Sequence, residues 1–252
     1  MGRLNNRVAI VTGAAQGIGA AYAKAMAAEG ASVVVADRDD GEPVVDEIIK
    51  GGGTALNIVT DVSDEISCKA MAAQTIDAFG RIDILVNNAA LFGHLDAKPF
   101  EEISVDEWDA LMAVNVRGVF VAIKSVTGQM RKQKYGKIIN IASGTLFKGT
   151  PMLLHYVTSK GAVLAMTRCI SREVGDDNIC VNTLAPGLVM SENVLSRDTF
   201  SDAGVDANTE TRAFKRRQMP EDLTGAMIFL ASADSDFMTG QCVVVDGGSV
   251  NN

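Results

Sequence analysis

Val8-Ala-Ile-Val-Thr12-Gly13-Ala-Ala-Gln16-Gly17-Ile18-Gly19 starts as an apolar, β-branched run and passes into a turn with three glycines. The run reads as a strand, and the Ala-rich residues 18–28 read as a helix. Strand, tight turn and helix in direct succession form the first unit of a β-α repeat. Working outward, short apolar runs return at 33–37, 55–60, 82–87, 137–142, 180–184 and 242–246. Helix-length segments lie between them, at 63–79, 106–132 and 156–174. The runs are continuously apolar, not alternating, as expected for strands covered on both faces. The pattern predicts an α/β fold: a doubly wound parallel sheet of seven strands with helices on both faces and right-handed crossovers. No break in composition divides residues 1–252, so one domain is expected.

Two connections are long. Residues 89–103 follow the fourth strand, and 187–220 follow the sixth, with Ser, Asp, Thr and Arg mixed among Leu195 and Phe200. Long loops in a compact domain are commonly functional. Both follow carboxyl ends of strands, where open α/β sheets bind ligands. The second is expected to be a substrate lid at about 188–218.

Composition removes several function classes. The net charge of -8 gives no basic footprint for nucleic acid, and Lys215-Arg216-Arg217 reads as a solvated helix face. No unbroken apolar stretch approaches the ~18 residues of a membrane helix, so no membrane association is expected. The segment before the first strand leaves no room for a signal peptide, and a cytoplasmic protein is expected. The four cysteines, Cys68, Cys169, Cys180 and Cys242, form no CxxC pair and read as small hydrophobes. Two histidines, His94 and His155, offer no metal centre, and none is expected.

The glycine turn carries chemistry. Gly13 permits the tight turn, Gly17 lets backbone approach a pyrophosphate, and Gly19 allows close packing of helix on strand. The helix N-terminus supplies amide donors for phosphates. Asp37 ends the second strand, where a carboxylate can bind two ribose hydroxyls and repel a 2′-phosphate. Gln16 stands where a cation would await that phosphate. Arg38 argues the other way, but Asp37 weighs more, and the expected cofactor is NAD. Further along, Tyr156 and Lys160 lie four residues apart in a helical stretch, on one face. A phenol titrates near ~10 and is a poor base at neutral pH. A fixed cation beside it favours phenolate. The pair is a candidate proton-transfer centre.

The spacing Thr-Gly-x-x-x-Gly-x-Gly at Thr12–Gly19 resembles that of the classical short-chain dehydrogenase/reductase family, a Rossmann-type fold. The resemblance covers essentially the whole chain. Asp61-Val62 looks like the family's adenine-binding pair. Asn87-Asn88-Ala89-Ala90 resembles its Asn-Asn-Ala-Gly motif, with Ala90 in place of glycine. Asn115 matches the catalytic asparagine, Ser143 the catalytic serine, and Pro186-Gly187 the turn beneath the nicotinamide. Asp246-Gly-Gly248 closes the last strand as in relatives. The resemblance implies cofactor contacts at Gly13, Gln16, Gly17, Ile18, Gly19, Asp37, Asp61, Val62, Asn88, Ala89, Tyr156, Lys160, Pro186, Gly187 and Val189. It also implies roles. Tyr156 is the base in oxidation and the acid in reduction, and Lys160 keeps it ionised and binds the nicotinamide ribose. Ser143 orients the substrate oxygen, and Asn115 bends its helix and holds a water that links Lys160 to solvent. A homotetramer is implied as well.

The expected substrate wall is apolar: Leu91, Phe92, Thr145, Leu146, Phe147, Met152, Leu153, Leu188 and Met190, with His94 or His155 offering a hydrogen bond. No Arg or Lys is reserved for an anionic group. That suits a hydrophobic secondary alcohol or ketone. The segment Ser-Gly-Thr-Leu-Phe-Lys-Gly-Thr-Pro is similar to that of bacterial NAD-dependent dehydrogenases of 1-phenylethanol and pyridoxal 4-dehydrogenase type, which leans towards aromatic or cyclic alcohols. Two alternatives stand. One is a 3-oxoacyl-carrier-protein reductase using NADPH, against which Asp37 and the acidic balance count. The other is a catalytically silent nicotinamide-sensing protein, against which Asn115, Ser143, Tyr156 and Lys160 together count.

Overall fold

The computed structural model describes residues 2–92, 95–195 and 202–250, without the side chains of Asn193, Asp202 and Ala203. Seven strands form one sheet: β1 (Val8–Thr12), β2 (Ser32–Asp37), β3 (Thr54–Val59), β4 (Ile84–Asn87), β5 (Gly136–Ile141), β6 (Ile179–Pro186) and β7 (Cys242–Val245). Their order is β3-β2-β1-β4-β5-β6-β7, and every neighbouring pair is parallel. The main helices are α1 (Gly17–Ala28), α2 (Glu42–Lys50), α3 (Glu65–Phe79), α4 (Val105–Met112), α5 (Val119–Gln133), α6 (Thr145–Lys148), α7 (Leu154–Val174), α8 (Glu192–Leu195), α9 (Asp202–Glu210) and α10 (Glu221–Ala231).

Strand alternation explains how the sheet is covered on both faces. Ala9, Val11, Val33, Val35 and Ile84 point into one core, with Tyr22 and Met26 of α1, Ile48 of α2 and Met227 of α10. Ile10, Val34, Leu85 and Ile138 point into the other, with Met71 of α3, Val126 of α5 and Val163 of α7. A period of two in side-chain direction thus feeds two apolar layers, and the strands read as unbroken apolar runs.

Chain order reverses beside β1, since β2 and β3 build one way and β4 to β7 the other. That is the switch point at which a crevice opens above the carboxyl ends. A buried polar chain braces the sheet there. Asn87 Nδ2 donates to Asn140 Oδ1 at 2.8 Å, and Asn140 Nδ2 donates to Thr167 Oγ1 at 2.9 Å. Thr183 Oγ1 reaches the same hydroxyl at 2.8 Å. The buried Asn87 and Asn140 amides of this chain leave no orphaned atom, which makes the register costly to slip.

Three expectations change. The helix predicted at 106–132 is helical throughout but widens to a π turn at Ala113–Gly118. Taken as Val105–Gln133, it contains an 18-residue window of mean hydropathy 1.4, long and apolar enough to cross a bilayer. Apolar side chains on two faces produce that average. Val119, Val126 and Met130 face the core, whereas Phe120 is exposed. Lys215-Arg216-Arg217 lies outside the helices, and each side chain is paired: with Glu210, Asp222 and Asp206 respectively. Of the cysteines, Cys68 and Cys180 are buried as expected, but Cys169 is exposed.

Candidate active site

A cavity of about 420 Å³ lies across the carboxyl ends, lined by Gly13 after β1, Asp37 of β2, Asp61 after β3, Asn88 after β4, Ser143 after β5, Gly187 after β6 and Asp246 after β7. Its size suits a bound small molecule.

The turn after β1 is shaped by what side chains would obstruct. Gly13 has φ +64°, and a Cβ there would lie 2.7 Å from Ala89 Cα. At Gly19 a Cβ would lie 2.1 Å from the Gly13 carbonyl oxygen. Gly17 has φ +58° and no close neighbour, so its backbone stays open to the cavity it lines. Thr12 Oγ1 accepts the N–H of Asn88 and of Ala89, each at 3.1 Å, and Asn88 Nδ2 donates to the Thr12 and Gly13 carbonyls at 3.0 and 2.9 Å. The loops after β1 and β4 are therefore one unit. The N-terminus of α1 has no side-chain cap and no acid in its first turn. Those of α3 and α4 are capped by Asp64 and Ser104. An uncapped N-terminus behind an open glycine is a cradle for phosphate oxygens. The Asp37 carboxylate accepts the Ala15 N–H at 2.9 Å and the Asp39 N–H at 3.1 Å, which fixes it beside the turn. Arg38 lines the same cavity. Asp61 turns its carboxylate to Ser63, whose hydroxyl and amide hold it below its ordinary value.

Tyr156 and Lys160 project from α7 into the cavity, both buried. Ser143 lies beside the phenol and lowers its pKa, and Thr145 donates to the serine oxygen through Oγ1 at 3.0 Å. Burial pushes the Tyr156 phenol up to about 12, and Ser143 opposes it. The expected lowering does not prevail: Lys160 Nζ is 5.6 Å from the ring centroid, and burial pulls Lys160 itself down to about 8. Its ammonium donates to the Ile141 carbonyl at 2.9 Å. Two charged forms share a dry site, and desolvation disfavours both. Phe92 packs on Tyr156 with ring centroids 4.7 Å apart.

Asn115 sits in the π turn, fully buried, and is not part of the cavity wall. Its Oδ1 accepts the Leu91 N–H at 2.7 Å, and its Nδ2 donates to the Leu91 carbonyl at 3.2 Å and to Ser159 Oγ at 3.3 Å. Ser159 in turn donates to the Tyr156 carbonyl at 2.7 Å. The helix widens to its π turn at this residue. The side chain clamps the loop after β4 to α7.

Every predicted cofactor residue lines the cavity: Gly13, Gln16, Gly17, Ile18, Gly19, Asp37, Asp61, Val62, Asn88, Ala89, Tyr156, Lys160, Pro186, Gly187 and Val189. Of the predicted substrate residues, Phe92, Thr145 and Leu153 also line it. Phe147, Met152 and Met190 do not. Met152 takes φ +67° and is exposed. Met190 is buried behind the wall with Val194 and Val205. Phe147 is half-buried on α6 beside the wall. His155 is buried away from the cavity, its Nε2 3.3 Å from Glu107 Oε1. His94 lies outside the described residues.

The wall is also less apolar than expected. Lys148, Asn208, Arg212, Asp246 and Ser249 all line the cavity. Lys148 donates to Thr211 Oγ1 at 3.2 Å and to Ser249 Oγ. Arg212 donates to the Leu188 carbonyl at 2.7 Å, the Arg216 carbonyl at 2.9 Å and Asn208 Oδ1 at 3.1 Å. Lys148 stands only three residues past the predicted Thr145, a signal that was available. Arg212 carries no spacing signal, because its neighbours in space come from remote segments.

Comparison with known proteins agrees with this geometry. Residues 13–250 match a family model described as enoyl-(acyl carrier protein) reductase. The chain is 37% identical to a (2S)-[(R)-hydroxy(phenyl)methyl]succinyl-CoA dehydrogenase subunit from Thauera aromatica, over 97% of each chain. It is 36% identical to galactitol 2-dehydrogenase from Agrobacterium fabrum, over 98% of each. Among solved structures, a putative NAD(P)-dependent gluconate 5-dehydrogenase from Beutenbergia cavernae, with NADP bound at low occupancy, superposes with a TM-score of 0.90 at 36% identity, covering 98% of this chain and 97% of that one.

Proposed function

The chain belongs to the classical short-chain dehydrogenase/reductase family of oxidoreductases acting on alcohols and ketones with a nicotinamide cofactor, and from that premise we propose that it oxidises a hydrophobic, aromatic or cyclic secondary alcohol to its ketone with NAD, reversibly. One observation carries the reading: Ser143, Tyr156 and Lys160 meet in the same cavity as Asp37 and the glycine turn.

When bound, NAD supplies the hydride acceptor. The chain does the rest. The backbone from Gly13 to Gly19 and the α1 N-terminus receive the pyrophosphate, and Asp37 receives the adenosine ribose hydroxyls. The Ser143 hydroxyl donates to the substrate oxygen and orients it towards Tyr156. Tyr156 takes the hydroxyl proton in oxidation and returns it in reduction. Lys160 stabilises the phenolate at the moment it forms and meets the nicotinamide ribose. Asn115 is a positioning residue, acting through Leu91 and Ser159. Phe92, Leu153, Leu188 and Val194 supply apolar wall for the alcohol body.

The working enzyme on this reading is one catalytic domain, 1–252, roofed by the described parts of 188–218, and a cytoplasmic homotetramer. Exposed Phe120, Leu154 and Phe237 supply apolar contacts for pairing. Light scattering after size exclusion tests the tetramer.

A screen of aromatic and cyclic secondary alcohols, each with NAD and NADP, tests the activity. Turnover with NAD preferred supports it; a strong NADP preference overturns the cofactor, and no turnover of any alcohol overturns the reaction. Arg38 beside Asp37 favours the second reading, an NADPH-dependent 3-oxoacyl-carrier-protein reductase, and the same kinetics separate the two.

A further inference from the structure

Arg212 is a buried cation, 3% exposed, on the wall of the cavity. All three of its hydrogen-bond acceptors are neutral: two backbone carbonyls and the Asn208 amide oxygen. Its Nε–H has no acceptor. Among the described residues no carboxylate pairs with it. Lys148, on the same wall, is held by two hydroxyls and likewise pairs with no carboxylate among the described residues.

The nearest compensating charge is Asp246, which acts on both cations through space. Its two oxygens are already taken by the N–H groups of Gly248, Ser249 and Val250, each at 3.0 Å. Arg216 and Asp222 also act on Arg212, but they form their own ion pair and cancel. Two cations against one carboxylate leave one positive charge on the wall. Lys148 is exposed and solvated, so the cost falls on Arg212: an uncompensated charge out of water is costly unless something pairs with it. A guanidinium held by carbonyls beside an ammonium held by hydroxyls is built to receive a carboxylate.

The wall adjoins the alcohol site. Lys148 ends the short helix that starts at Thr145, which itself donates to Ser143. Arg212 is tied to the carbonyl of Leu188, just past Pro186-Gly187. We propose that the substrate is an amphipathic hydroxy acid. Its carbinol carbon meets Ser143 and Tyr156, its body lies on Phe92 and Leu188, and its single carboxylate is held by Lys148 and Arg212. This rests on the reading of Tyr156 as the alcohol site. It replaces a wholly apolar pocket with an apolar one that ends in a monoanion site.

Matched substrates test it. Aromatic hydroxy acids are compared with their methyl esters and primary amides in steady-state NAD reduction. The acid is expected to lead in kcat/KM by about 10- to 100-fold, mostly through KM, the worth of one charge-assisted contact. Lys148→Met and Arg212→Gln are each expected to cut the acid-to-ester ratio by about tenfold. Inhibition of the wild-type chain gives a readout that no variant's folding can confuse. Phenylacetate should compete at least about tenfold better than phenylacetamide. Esters turned over as well as acids, with equal inhibition by acid and amide, would sink the anion site and leave the alcohol reading standing. A phosphate monoester preferred over the carboxylate would also overturn the monoanion. No turnover of acid, ester or amide would overturn both readings.

Discussion

The glycine turn and the basic wall stand in the same cavity and are built in opposite ways. The turn is backbone. Gly13, Gly17 and Gly19 shape it by lacking side chains, and one strand, one turn and one helix contain it. The wall is side chain. Lys148, Arg212 and Asp246 come from α6, from the segment after α9 and from the end of β7. The first is rigid because its alternatives clash. The second holds its charges with carbonyls, hydroxyls and a short amide nest. Backbone architecture suits a constant partner, the cofactor. Side-chain architecture suits whatever distinguishes one substrate from another. Ser143, Tyr156 and Lys160 line the same cavity as both.

The sharpest test of that division is Tyr156→Phe. It should cut kcat by about 10³-fold or more while NADH binding, followed by fluorescence, changes little. Loss of cofactor binding in that variant would mean the two ends are not separable. Next comes Asp37→Ser, which removes the carboxylate beside the turn. The NAD-to-NADP ratio of kcat/KM should fall by about 10- to 100-fold, with KM for the alcohol nearly constant. If the ratio holds, Asp37 is not the cofactor selector.

The pH profile divides the two directions of reaction. Oxidation needs the phenolate, whose pKa burial has pushed up to about 12. Its rate should therefore climb as pH rises, by about tenfold per unit while Lys160 stays charged, and flatten above about 8, where Lys160 loses its proton. Reduction uses the phenol, the form already present, and should be nearly flat over that range. A bell centred near neutral pH in both directions would remove Tyr156 from the proton step.

The smallest effect is on stability and has an unexpected sign. Lys160 is buried with a depressed pKa, so the fold disfavours its charged form. Between about 8 and its unfolded value near ~10.5, the unfolded chain binds a proton that the folded chain does not. Stability from this group therefore rises with pH through that window, and below it the charged lysine weakens the fold. Lys160→Met should raise Tm at neutral pH by about 5 °C and remove activity. A lower Tm would show that the Ile141 carbonyl contact outweighs desolvation.

Legibility in the sequence followed the same division. All seven strands were readable to within two residues, because strands buried on both faces must be continuously apolar. The 13 residues from Gly13 to Val62 and from Asn88 to Val189 expected at the cofactor, beyond the tyrosine and lysine themselves, sit in short local motifs whose geometry repeats. Tyr156 and Lys160 were readable from helical periodicity. Their titration was not, because it depends on how dry the site is. Phe147 and Met152 were misplaced because position in a loop does not fix the direction of a side chain. Arg212 was missed for a stronger reason: its meaning comes from the absence of a carboxylate around it.

By itself the sequence determined the sheet, the glycine turn above it, and the pairing of Tyr156 with Lys160 on one helical face. Each is set by contacts within a few residues or by a periodicity the chain carries along its length. Only the tertiary structure decided that burial raises Tyr156, that Asn115 bonds Leu91 and Ser159, and that Lys148 and Arg212 line the cavity with neutral hydrogen-bond partners. Desolvation and through-space charge depend on distances between segments remote in sequence, and those distances exist only once the chain has folded.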